Sequence, residues 1–161
     1  MLLLMELVIL CAVFWILCYL GIGTDEKNIK SFSSYPDRVQ ELIRKDPILS
    51  KNIKESSVTK TFISNIIMFA FILMIFGLFL RSNDFVSNFI NLIILGEFLN
   101  LFDYLVIDMM WWRNSERIRF KSIDDNQEIY KDMSKHKSSF IRGVVMFLIV
   151  AVIDGLLLTI L

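Results

Sequence analysis

The sequence predicts an all-α integral membrane protein. The expected architecture is a bundle of four transmembrane helices with two long cytoplasmic loops, the first carrying a short interfacial helix. Three observations predict it. The 161 residues are 55% hydrophobic, with a mean hydropathy of +0.59, above the roughly 45–50% apolar share of soluble domains. Four apolar stretches are each about 20 residues long, enough for a helix to cross roughly 30 Å of hydrocarbon. Basic residues crowd the two long segments between them. At 18.9 kDa the chain is short for several domains, and it reads as one integral membrane domain over residues 1–161.

The same composition excludes other classes. With 14 Phe and 3 Trp the chain is too apolar for disorder. Its 2 Cys are too few for a secreted disulfide scaffold. The 17 basic and 17 acidic residues cancel, so the total charge points to no nucleic acid.

The first span is Leu2–Leu20, broken only by Glu6. It has no basic leader, and Cys18-Tyr19-Leu20-Gly21 is not a small-x-small cleavage site, so it reads as a span and not a signal peptide. The second is Thr61–Leu80, with 15 uninterrupted apolar or Gly residues from Ile66. The third, Phe85–Met110, carries several polar residues, and the fourth is Phe140–Leu161. The turn Arg81-Ser82-Asn83-Asp84 is so short that spans two and three must be antiparallel neighbours.

Loop 21–60 holds Lys27, Lys30, Arg38, Arg44, Lys45, Lys51, Lys54 and Lys60. Loop 111–139 holds Arg113, Arg117, Arg119, Lys121, Lys131, Lys135 and Lys137, whereas the turn has only Arg81. Positive charge favours the cytoplasm, so both long loops are expected there and both termini outside. Trp111 and Trp112 suit the cytoplasmic interface. In the first loop residues 36–45 read as a helix, with Pro36 in its first turn and Asp46-Pro47 stopping it. Val39, Leu42 and Ile43 share one face. That face suits the bilayer surface, and packing on the second loop would satisfy it equally.

Intramembrane charges are costly and usually have a partner or a task. At about 100° per residue, Glu97, Asn100, Tyr104 and Asp108 form one polar stripe on span three, with Asp103 beside it. Glu6, Glu97 and Asp154 are expected within roughly 10 Å of one another in depth, with no basic residue at that level. Such carboxylates either hold protons, because burial and repulsion disfavour their charged form, or hold a cation. The expected ligand set is therefore Glu97, Glu6, Asn100, Asp103 and Asp154. Its bland alternative has Glu6 reaching the Met1 amine while Asp154 bonds a neighbouring helix.

Nearer the cytoplasm, Asp103 or Asp108 is expected to pair with Arg142, with His136, Arg113 and Arg117 also in reach. Arg113, Arg117, Arg119 and Lys121 could hold an anionic lipid head group. Cys11 and Cys18 share a helix face but lie about 10 Å apart along it, too far for a disulfide. Ala151-x-x-x-Gly155 marks close packing in the bundle or a dimer seam. Nucleotide and hydrolase signatures are missing, which argues against an enzyme, and no cofactor is expected.

The run Gly96-Glu97-Phe98-Leu99-Asn100-Leu101-Phe102-Asp103-Tyr104-Leu105-Val106-Ile107-Asp108 leads into Trp111-Trp112-Arg113. Tyr130-Lys131-Asp132, His136 and Phe140-Ile141-Arg142-Gly143 follow. Together they resemble a family of small bacterial four-span membrane proteins, some of which carry the label transporter permease. The resemblance covers roughly residues 30–161 and implies the fold class and a bacterial plasma membrane; it carries over no catalytic residue. The leading expectation is a membrane protein that binds a cation, proton or small ligand in a carboxylate-lined core, related to transport. A non-catalytic accessory protein, paired with itself or with another membrane protein, is the alternative. A lipid-modifying enzyme using Asp103, Asp108 and His136 ranks third.

Overall fold

A computed structural model describes residues 1–54, 56–123 and 127–161. Among them the secondary structure is entirely helical. The long helices are α1 (Leu2–Leu20), α4 (Val58–Phe79), α5 (Phe85–Phe102) and α6 (Ser134–Ile160). Between α1 and α4 lie the short α2 (Asp25–Asn28) and α3 (Asp37–Lys45). Past α5 the chain continues as a π-helix over Asp103–Trp111. Four helical stretches are long and apolar enough to cross a membrane: Leu2–Leu20, Val58–Phe79, Phe85–Asn114 and Glu128–Ile160. The second begins three residues before the predicted 61, and the last helix begins six before the predicted 140.

Two compact units divide the chain. The first contains Met1–Ala12, Ser56–Phe102 and Phe140–Leu161; the second contains Val13–Glu55 and Asp103–Ser139.

The first unit is a packing of long apolar helices. Ser57 opens α4, its hydroxyl accepting the Lys60 N–H at 3.1 Å. The tight turn after α4 is held by side chains. Asn88 accepts the Ser82 N–H and donates to the Ser82 carbonyl, each at 2.8 Å, and donates to Thr159 Oγ1 at 3.1 Å. Arg81 Nε donates to the Leu158 carbonyl at 3.0 Å, and Asp84 caps α5 through the Ser87 N–H at 2.8 Å. These bonds fix α4 and α5 as the antiparallel neighbours that the short turn requires. Small residues then let helices close up. A side chain added at Gly96 would strike Phe147, one at Gly143 would strike Asn100, and one at Gly155 would meet Phe85. Ala151 is fully buried, so the Ala151/Gly155 pair serves close packing inside this unit. Phe69 meets Phe147 edge-on at 5.0 Å, and Leu73, Leu92, Leu95, Leu99 and Val150 are buried in the same unit.

The second unit gathers the two segments expected to be loops, with the adjoining ends of the first and third expected spans. Ile22, Ile29, Phe32, Tyr35, Val39, Ile43 and Leu49 pack with Trp112, Ile118, Phe120, Ile123 and Tyr130 in one apolar cluster. Val39 and Ile43 on α3 are fully buried there. The apolar face of α3 is thus taken by protein, and the interfacial placement expected of this helix gives way to packing on the second long segment. The area removed from water is gained either way, and the aromatic partners at 112–130 supply a closer fit than lipid. Pro36 stands just before α3, at its cap position, and not inside its first turn. Trp112 is likewise buried.

Polar groups lock this cluster. Tyr35 donates to the Ile118 carbonyl at 2.7 Å. Asn28 donates to the Arg117 carbonyl at 2.9 Å and accepts the Gly23 N–H at 3.1 Å. Gly23 has a φ of 113°, a backbone state that suits Gly alone at little cost. Asp46 accepts the N–H groups of Ile48 and Leu49 at 2.8 Å each, closing the turn after α3. Together these hold its carboxyl below the ordinary carboxylate range, the Leu49 bond first, then Ser122, then Ile48.

Candidate functional site

The polar site with the clearest geometry lies in the second unit, on the π-helix. At α-helical pitch Asp103 and Asp108 would point about 140° apart. A π-helix bonds each residue to the fifth one on, which brings the two carboxylates toward one face. His136 stands in the first turn of α6, whose start is capped by Asp132 accepting the Ser134 N–H at 2.8 Å. His136 Nδ1 lies 2.8 Å from Asp108 Oδ1, with side-chain exposures of 8% and 13%. Asp103 lies within electrostatic reach of both Asp108 and His136. Cys18 is in the same range of Asp103 and Asp108.

Aromatic rings wall the site. Trp112 meets His136 edge-on at 6.0 Å and Tyr35 at 5.5 Å. Its buried indole N–H has no hydrogen-bond partner among the described residues. Trp111 packs with Trp15 and Tyr19, each at 6.0 Å. Two carboxylates and one imidazole thus lie within electrostatic reach of one another in a largely enclosed setting.

This corrects the expected ion pairing. Asp108 takes His136 and not Arg142, because α6 starts early enough to carry the imidazole into helix. Arg142 is exposed and lines a groove with Val58 and Val145. Arg117, expected to face a head group, is engaged within the unit. Its guanidinium donates to the Ile22 carbonyl at 3.3 Å and covers the Tyr19 ring at 4.1 Å. Arg113 is half-buried within electrostatic reach of Glu128.

The expected ligand set is divided. Asp103 belongs to the site above. In the first unit Asn100 donates to Glu97 at 3.4 Å and to the Phe140 carbonyl at 3.2 Å, so it ties α5 to α6. Glu6 and Asp154 are buried, at 4% and 1% exposure. Glu6 Oε2, Glu97 Oε1 and Asp154 Oδ2 each lack a hydrogen-bond partner among the described residues. No three His, Cys, Asp or Glu among the described residues form a group that could hold a metal ion. Both cysteines are free.

Sequence reasoning named Asp103, Asp108 and His136 but missed Cys18 and Trp112 as their neighbours. The signal available for Trp112 was the Trp111-Trp112 pair three residues after Asp108, the second of two aspartates five residues apart.

No family model, no curated protein and no solved structure matches this chain.

Proposed function

We propose that this chain is an integral membrane protein that binds and releases a proton at the Asp103–Asp108–His136 site. The observation that carries the reading is the 2.8 Å contact between His136 Nδ1 and Asp108 Oδ1, nearly closed to solvent beside a second carboxylate. Histidine is the side chain whose ordinary titration falls nearest neutrality, and the adjacent carboxylates couple its charge to theirs. The closed setting suits a proton better than a lipid head group, which ranks the enzyme reading below this one. Glu6, Asn88, Asn100 and Asp154 are buried within the first unit. The proposal includes a bacterial plasma membrane, with both long basic segments cytoplasmic and both termini outside.

The test is proton linkage. Unfolding of wild type and of Asp103→Asn, Asp108→Asn and His136→Gln is compared in one detergent between about pH 5 and pH 8. A pH-dependent midpoint in wild type that flattens in the variants supports the reading. Parallel profiles in all four proteins would sink it.

A second reading rests on the three partnerless oxygens of Glu6, Glu97 and Asp154. A bound proton would satisfy such an atom. Its test is a pH-linked stability shift that disappears in Glu97→Gln.

A further inference from the structure

We infer that the groove between α4 and α6 is a binding site for one anionic phospholipid, with Arg142 as its head-group anchor. The groove has a volume of about 320 Å³ and is lined by Val58, Thr59 and Phe62 on α4 and by Ile141, Arg142 and Val145 on α6. Both helices are among the four apolar enough to cross a membrane. The inference rests on that membrane reading and is independent of the proton site.

Four of the six lining residues are hydrocarbon, which fits an acyl chain. The exception that matters is Arg142, a permanently charged guanidinium that makes no ion pair among the described residues. An unpaired charge on a spanning helix is costly, and it is met by an anion or by water. The anion that a bilayer supplies at a helix end is the phosphodiester of its own lipids. Guanidinium binds it through two parallel N–H bonds, a geometry Lys cannot copy. Val58 and Thr59 begin α4, so the groove lies at that end of the helix. The occupant that satisfies both walls and rim is therefore a lipid with negative charge at its head, such as phosphatidylglycerol.

The experiment uses the full chain in a neutral detergent. Phosphatidylglycerol or phosphatidylcholine with the same acyl chains is added, and bound lipid is counted by native mass spectrometry alongside the thermal midpoint. The expected result is one retained phosphatidylglycerol and a larger midpoint rise than phosphatidylcholine gives. Arg142→Gln weakens that binding about tenfold, and Arg142→Lys weakens it less. Val145→Trp fills the groove and loses the lipid with the charge intact. Val58→Trp does the same from the opposite wall, which keeps the test open should Val145→Trp fail to fold. Equal response to the neutral lipid, an unchanged response in Arg142→Gln, or the same shift from inorganic phosphate alone would each overturn the proposal.

Discussion

His136 and Asp108 meet through Nδ1 and Oδ1 at 2.8 Å, although 27 residues separate them in sequence. The contact is an ion pair whenever the imidazole carries its second proton. Asp103 then places a second negative group within range of the same ring.

The pair is also a structural element, and its energetics separate from its titration. Breaking a nearly buried pair by removing one partner costs on the order of 3 kcal/mol. Asp108→Asn and His136→Gln should each destabilise by about that amount. The double variant should cost clearly less than the sum, because neither partner is left buried alone. Chemical unfolding of the four proteins measures the coupling; simple additivity would mean that the contact contributes nothing.

Tyr35 makes a sharper pH prediction. Burial pushes its hydroxyl well above the ordinary tyrosine value of 10.0, with Tyr130 and Asp25 adding to the effect. The folded state therefore keeps this proton more tightly than the unfolded chain. Its contribution is complete below the unfolded value and is lost as pH rises beyond it. Wild type should lose stability steeply above about pH 10, and Tyr35→Phe should lose it less steeply. At neutral pH the same variant should be less stable by about 1 kcal/mol, since the Ile118 carbonyl loses its donor.

Asp46 predicts the opposite limb. Its carboxyl lies below the ordinary value of 3.8 because backbone N–H groups bind its charged form. That stabilisation is present above the ordinary value and fades as pH falls through the lowered one. Asp46→Ala should flatten the acid side of the stability profile and leave the alkaline side unchanged, read by fluorescence-detected unfolding.

Close packing in the first unit is tested at Gly96. Its missing side chain is the space that Phe147 occupies. Gly96→Ala should destabilise by about 1–3 kcal/mol through overpacking, despite the better helix propensity of Ala. A gain in stability would show that the helices part without cost.

Much of this architecture could be read from residues. Span one is Leu2–Leu20 by either route, because an unbroken apolar run of that length has few other uses. The turn before α5 was legible from Arg81-Ser82-Asn83-Asp84, although its anchor, Asn88, was not named. The π-helix was hidden because a 3.6-residue period was imposed on residues 103–111, which put Asp103 beside the stripe and Asp108 in it. The core of the second unit was hidden for another reason. Phe32, Tyr35, Trp112, Phe120 and Tyr130 follow no helical or strand period, and only tertiary contact reveals that they belong together. The face of α3 was seen, but amphipathicity does not say whether lipid or protein covers it.

The most direct measurement is the titration of His136 itself. It is the single histidine in the chain, so one 15N-histidine label yields one set of imidazole signals. The account predicts imidazole signals whose pH response changes on Asp108→Asn and changes less on Asp103→Asn. An imidazole with the same pH response in wild type and in both variants would contradict the proposed proton site.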